Sequence, residues 1–340
     1  MGDDYQRLAR FVSETWKIYL GRQPPPSDLA ETVRALAAGA DPVAFFLATA
    51  SCAEAVQRQE SRGEVELLFP PGHYYSPIVK PDALINEGFK ERRRKDLLLE
   101  VNFDYDKMEG LFLKLIEVAI FEELPRESTL GLRYFSGNDM YGLGDAIILS
   151  SMLRYLRPAK WIEVGSGFST AILLDTIDRT PDLATALTFI EPYPDRLETL
   201  LRNDDRARSR VINLPIQAVP LELFGTLMAG DVLFLDTTHV AKTGSDVNHE
   251  FFQILPRLAS GVIVHFHDMF ADFEYPDVWI FDENKSWNEQ YMMRAFLMYN
   301  TAFEVIYSND GFARRRADIV RRHCSAILSN PGGGLWLRKL

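Results

Sequence analysis

The chain has 340 residues, long enough for two domains or for one large domain with an appendage. Its 47% hydrophobic and 25% charged residues, with 21 Gly and 18 Pro, exclude a disordered or collagen-like chain. Lys and Arg number 37 against 48 Asp and Glu, and the net charge of −11 argues against a nucleic-acid partner, since such a surface repels a phosphate backbone.

Read in order, residues 5–20 place Leu8, Phe11, Val12 and Trp16 at helical spacing, and Gly21 with Pro24, Pro25 and Pro26 ends that helix. Ser27-Asp28 reads as a cap for a second helix that stops at Gly39, and Asp41-Pro42 opens a third through VAFFLATASCAEAVQRQ. Residues 1–60 are thus expected to form a small all-α module. The acidic start lacks the basic region of a signal peptide, and the longest apolar or small-residue run, Val43 to Ala53, is shorter than the ~18 residues of a membrane span. Cys52 and Cys324 are too few and too far apart for a disulfide framework or a zinc cluster. A cytoplasmic protein without a membrane span is expected.

Residues 61–130 read as a linker followed by a helical cap region. Pro70, Pro71, Pro77 and Pro81 mark breaks, His73-Tyr74-Tyr75-Ser76 makes the linker unusually aromatic, and the run Lys90 to Lys95 reads as a solvated helix face or an anionic-substrate contact.

After Asp145 the pattern alternates. Apolar strand candidates fall at 160–164, 186–191, 210–214, 231–235, 261–266, 303–307 and 334–338, with helices at 146–156, 170–178, 194–202, 246–258 and 287–299. Short, nearly continuous apolar strands are those covered on both faces, so the expected fold is α/β, a Rossmann-like doubly wound seven-stranded sheet. The Pro331-Gly-Gly-Gly turn suggests that the final strand is antiparallel and sits at the sheet edge.

The stretch Trp161 to Thr170, WIEVGSGFST, is a strand running into a glycine turn and then a helix, an arrangement that lets backbone approach a ligand. A dinucleotide fingerprint would place a third small residue where Thr170 stands and an apolar residue where Glu163 stands. Further on, Glu191 ends the second strand, where an acid can accept both hydroxyls of a ribose. The fourth strand ends in Asp236-Thr237-Thr238-His239 and the fifth in His267-Asp268, and the topology brings these strand ends to one crevice.

The acidic-x-Gly-x-Gly-x-Ser pattern resembles the first motif of class I S-adenosylmethionine-dependent methyltransferases, over about residues 130–340. The resemblance implies cofactor-binding roles for Glu163, Gly165, Ser166, Gly167, Ser169, Glu191 and Asp236, with Glu163 holding the methionine ammonium, often through water. Asn138 and Tyr141, from a stretch that closes over the cofactor in the related family, are candidates for the same role or for turn and capping bonds. The strand-end acids resemble the metal-dependent O-methyltransferases of the macrocin type, which act on sugars. That implies a divalent metal, Mg, Mn or Fe, on Asp236, His267 and Asp268. His267 departs from the related pattern of adjacent acids, which shifts the preference from magnesium toward manganese, iron or zinc or leaves the site degenerate.

An acceptor hydroxyl must lose its proton as it attacks the methyl group, and histidine titrates in the right range, so His239, His267 and Asp236 are the catalytic candidates. The aromatic residues Phe270, Phe273, Tyr275, Trp279, Trp287 and Tyr291 are either a stacking surface for the acceptor or the private core of an insertion. At the other end, LGRQPPPSDLAETVRALAAG resembles a helical module related to phycobilisome linker repeats; a generic three-helix appendage is the alternative. The reading is methylation, at oxygen, of a saccharide or other small hydroxylated acceptor, as in saccharide modification or secondary metabolism, with self-association left open. The rivals are an NAD(P)-dependent oxidoreductase and a non-catalytic cofactor-binding or assembly module.

Overall fold

The computed structural model describes residues 2–20, 22–50, 69–86, 88–89, 101–120, 124–129 and 131–340. Cys52, the end of the third predicted helix, the first part of the linker and the basic run at 90–95 lie outside these residues.

Three helices open the chain: α1 (Gly2–Leu20), α2 (Pro26–Ala37) and α3 (Pro42–Ala50). Pro26 itself occupies the first turn of α2, where its missing N–H costs nothing, so the helix begins ahead of Ser27-Asp28 and that pair does not cap it. Ser27 donates to Asp28 instead. Val12, Val33 and Leu36 are buried between these helices, and Phe11 meets Phe45 edge-on. Among the described residues two further helices follow, α4 (Pro81–Asn86) and α5 (Tyr105–Glu117), the second capped by Asp104, which accepts the Lys107 N–H at 3.1 Å.

The remainder is a doubly wound sheet preceded by α6 (Leu143–Leu156). Its strands are β1 (Lys160–Val164), β2 (Ala186–Ile190), β3 (Ser209–Ile212), β4 (Val232–Leu235), β5 (Ile263–Phe266), β6 (Phe303–Ser308) and β7 (Leu335–Lys339). They form one seven-stranded sheet in the order β3-β2-β1-β4-β5-β7-β6. The final strand is antiparallel to both neighbours, but it is inserted between β5 and β6 rather than at the edge, which β6 occupies. The stretch joining β6 to β7 carries two helices that its weak apolar pattern does not announce, Asn309–Arg315 and Ala317–Cys324.

Alternation along the strands divides the core. Trp161, Phe234 and Trp336 face one layer of helices with α6 and with α7 (Phe168–Asp178), while Ile162, Val164, Leu233, Leu235 and Phe266 face the other. The predicted helix at 246–258 breaks into α-helical Asp246–His249, a π turn at Glu250–Ile254 and a 3₁₀ turn at Leu255–Arg257. Pro256 explains the break, because it has no N–H for the carbonyl one turn earlier. No described helix is long and apolar enough to cross a membrane.

Candidate active site

The order of strands reverses between β1 and β4, and in open α/β sheets the carboxyl ends at such a point flank a crevice. Ladder bonds continue past the strands and align their ends. Gly165 N donates to Ile190 O, Glu191 N to Ile212 O, Asp236 N to Val164 O and His267 N to Leu235 O, all at 2.9–3.0 Å. A cleft of about 280 Å³ opens there, lined by Tyr141, Gly165 to Ser169, Glu191, Arg196, Asp236 to His239, His267, Asp268 and Trp287. A larger groove of about 590 Å³ lies along α5 and β6 and contains none of these groups.

The glycine turn is dictated by crowding. Gly165 has φ +79°, and a Cβ on it would stand 1.6 Å from the Asp236 carbonyl oxygen, so only glycine lets β1 turn beneath the end of β4. Gly167 is extended, and a Cβ there would meet only the Arg196 side chain, at 3.4 Å.

Glu163 lies under the turn rather than in the cleft. It is fully buried, and its Oε1 accepts the hydroxyls of Ser169 and Thr170, each at 2.7 Å, while Oε2 has no partner. Thr170 in turn accepts the Gly167 N–H at 3.2 Å, so the residue standing in place of a third glycine closes the first turn of α7. Burial pushes the Glu163 carboxyl up to about 7. Any influence of Glu163 on a ligand therefore passes through Ser169, which does line the cleft, or through water.

Glu191 lines the cleft beside the glycine turn. Its Oε2 accepts the Ser166 N–H at 3.1 Å and its Oε1 the Tyr193 N–H at 2.8 Å, which leaves each oxygen a second lone pair for a hydroxyl. Ser166 Oγ is buried without a partner. Tyr141 lines the cleft with a buried, unpartnered hydroxyl and stacks on His267 at 4.9 Å. Asn138 does not reach the cleft. Its amide donates to Phe135 O and Tyr141 O and its oxygen accepts Met140 N and Tyr141 N, so all four of its bonds are spent on the turn.

At the ends of β4 and β5, Asp236, His239 and Asp268 each offer a donor atom, all within 4.8 Å of one another. His239 Nε2 is 3.5 Å from Asp236 Oδ1 and 3.4 Å from Asp268 Oδ2. These separations exceed the ~2.7–3.2 Å of a good N–H···O bond. They match the ~3.0–3.4 Å between two donors that each lie ~2.1 Å from one ion at ~90–110°. His239 and Asp268 also adopt left-handed backbone, at φ +59° and +55°, a conformation that ordinary side chains enter at a cost of ~1–2 kcal/mol. The residues present thus fit a divalent cation, and the nitrogen in the group is that of His239, not His267.

His267 is buried beside that group, its Nε2 3.6 Å from Asp268 Oδ1 and its Nδ1 without a partner. Burial alone would lower its pKa, but Asp236, Asp268 and Asp145 together hold it above the ordinary imidazole value. His239 is likewise held well above that value, its acids outweighing burial.

Of the six candidate aromatic residues, only Trp287 lines the cleft, and its ring lies 4.5 Å from that of His239. Phe273 is buried in the core on one face of the sheet, and Tyr275 is buried against the rings of His239, Trp279 and Trp287. Lys285 Nζ sits over both Trp279 and Trp287, at 4.5 and 4.6 Å. Sequence reasoning did not single out Arg196, a lone cation on the lip near Glu191 and Asp236; nothing but its position after β2 could have marked it.

Residues 162–269, which span the turn and all the strand-end acids, match the family model described as a methyltransferase domain. An uncharacterized protein of Archaeoglobus fulgidus is 32% identical over 181 residues, covering 48% of this chain and 76% of that protein. The chain thus belongs to one family with this relative, and its centre carries a methyltransferase domain. Among solved structures, the SAH-bound Podospora anserina methyltransferase PaMTH1 aligns with a TM-score of 0.39 and 14% identity, over 81% of this chain and 100% of that one. A putative protein-L-isoaspartate O-methyltransferase from Plasmodium falciparum, in complex with S-adenosyl-L-homocysteine, aligns with a TM-score of 0.29 and 12% identity, over 55% of this chain and 83% of that one.

Proposed function

We propose that the protein methylates a hydroxyl oxygen of a saccharide or other small hydroxylated acceptor, assisted by a divalent metal held by Asp236, His239 and Asp268. The observation that carries the reading is the Asp-His-Asp group on the same cleft as the glycine turn and Glu191, with Trp287 as its far wall.

S-Adenosylmethionine supplies an electrophilic methyl group, and a bound metal supplies Lewis acidity that lowers the pKa of an acceptor hydroxyl. The chain's own residues do the rest. The turn from Gly165 to Gly167 offers bare backbone to the cofactor, and Glu191 accepts from its ribose. Two carboxylates and one imidazole suit manganese, iron or zinc better than magnesium, which favours oxygen ligands. His267 lines the cleft beside that group, and in its neutral form it would take the acceptor proton if the metal holds His239. Trp287 lines the cleft beside His239, where a sugar ring can meet its indole.

The test is transfer of labelled methyl from S-adenosylmethionine to a panel of mono- and oligosaccharides, with and without chelator. O-methylated product that disappears in EDTA and returns with Mn²⁺ is expected. Full turnover in excess chelator would remove the metal from the reading, and transfer confined to amines would remove the oxygen acceptor.

A further inference from the structure

A residue outside the Asp-His-Asp group holds the histidine in place. Glu289 opens α8 (Glu289–Tyr299), a helix that follows the insertion after β5, and its Oε2 lies 2.9 Å from His239 Nδ1. Both side chains are buried, at 5% and 3% exposure, so water does not compete for the bond. The two segments are also knitted together by backbone. The His239 carbonyl accepts the N–H groups of Asn288 and Glu289 at 3.0 and 3.1 Å, and the Asn288 side chain accepts the Ala241 N–H at 2.6 Å. Trp287, immediately before these residues, is the cleft wall that packs on His239.

A carboxylate has only lone pairs to offer, so the imidazole nitrogen facing it carries the proton. Once Nδ1 is protonated, the neutral ring has its one lone pair on Nε2, which is the nitrogen lying 3.4–3.5 Å from the two acids. A cation among the three groups takes the place of the proton that Nε2 otherwise carries toward the two carboxylates. The arrangement is that of metal-bound histidines in general, whose outer nitrogen donates to an acceptor that sets both tautomer and ring orientation.

We propose that Glu289 is the positioning residue of the metal centre: it holds His239 as the Nδ1–H tautomer, turns Nε2 toward Asp236 and Asp268, and so makes the acceptor-side insertion part of the cation site. The proposal rests on the reading of Asp236, His239 and Asp268 as metal ligands. A consequence follows for the insertion. Because Trp287, Asn288 and Glu289 are consecutive, the wall that meets the acceptor and the residue that aims the ligand move as one unit.

The experiment is titration of the full-length protein with Co²⁺, whose visible spectrum reports ligand number and type, in wild type, Glu289→Ala and Glu289→Gln. S-Adenosylhomocysteine affinity, measured by calorimetry on the same samples, confirms that each variant is folded, because Glu289 does not line the cofactor side of the cleft. Wild type is expected to give a spectrum containing a nitrogen ligand. Glu289→Ala is expected to weaken Co²⁺ binding ~10- to 100-fold and to change the shape of the spectrum, the loss typical of an outer partner of a metal-bound histidine. Glu289→Gln, whose amide oxygen still accepts from Nδ1, should restore the wild-type spectral shape and most of the affinity. If wild type binds Co²⁺ with a nitrogen ligand and Glu289→Ala keeps affinity within twofold and an unchanged spectrum, the positioning role is overturned while the metal reading stands. If wild type binds no Co²⁺, or binds it without nitrogen, the metal reading falls and the proposal with it.

Discussion

Replacing Glu191 with Gln puts the cofactor geometry to a quantitative test. The wild-type carboxylate braces two backbone N–H groups, that of Ser166 at 3.1 Å and that of Tyr193 at 2.8 Å, one on each oxygen. Burial pushes this carboxyl up, and the two N–H donors and the nearby Arg196 act against that shift. A Gln side chain has one acceptor oxygen, so one of the two N–H groups must face an NH₂ group, and one ribose hydroxyl loses a charged partner for a neutral donor. Charge-assisted bonds contribute ~1.5–3 kcal/mol and neutral ones ~0.5–1.5, so a net loss of ~2 kcal/mol, or roughly 30-fold in affinity, is expected for S-adenosylhomocysteine. Calorimetry with S-adenosylhomocysteine and with an analogue lacking the 2′ and 3′ hydroxyls separates the two effects, because the damage to the turn is common to both ligands. The coupling between substitution and hydroxyl removal should reach at least ~1 kcal/mol. Binding of S-adenosylhomocysteine within twofold of wild type, or equal losses for the two ligands, would refute Glu191 as the ribose partner.

Three further outcomes follow from the same geometry. Gly165→Ala must escape both a left-handed backbone and a contact of 1.6 Å with the Asp236 carbonyl, so the ends of β1 and β4 separate; calorimetric scanning should show a Tm several degrees lower and no S-adenosylhomocysteine binding, and an unchanged Tm would contradict the turn. Glu163 is held up at about 7 against a usual 4.5, so the stability it contributes is full below ~4.5 and lost as pH rises through 7. At ~1.4 kcal/mol per pH unit that contribution is at most ~3.5 kcal/mol, and Glu163→Gln should flatten the fall in cofactor-free urea midpoints between pH 5 and 8; parallel curves would show that burial does not hold the proton. His267→Ala is expected to cost ~10²–10⁴ in turnover while S-adenosylhomocysteine and Co²⁺ affinities persist, and turnover within tenfold of wild type would remove His267 as the base.

The sheet is readable in the sequence because its strands are buried on both faces. KWIEV, ALTFI and VLFL are nearly continuous apolar runs at the positions of β1, β2 and β4, and each is punctuated by glycine, proline or an acid. The place of β7 is not readable in the same way. The chain reaches β7 from β6 through two helices, and its insertion between β5 and β6 depends on which neighbour buries Trp336 and Leu337; one strand's pattern carries no record of its partners. The helices before β7 escape notice for a local reason. Ala317–Cys324 is mostly polar, with Val320 and Cys324 as its buried residues, too narrow a stripe to stand out.

The site divides along the same line. Gly165 and Glu191 stand out in the sequence because each sits directly at a strand end, although the crowding that demands glycine at 165 comes from Asp236 on another strand. The choice between His239 and His267 is not, since both end a strand beside an acid. What separates them is backbone direction and a distant partner. His267 continues the line of β5 into the buried side of the cleft, where Tyr141 stacks on it. His239, three residues past Asp236, is itself left-handed; its Nε2 lies near Asp236 and Asp268, and its Nδ1 meets Glu289, 50 residues further along the chain. The insertion that supplies Glu289 reads as an aromatic loop whether it serves the acceptor or only its own core. Its chemical role lies in a single carboxylate at a helix start, where an acid is also what helix electrostatics favour. A sequence pattern records that such an acid suits the helix; it cannot record that a buried imidazole is waiting 2.9 Å away.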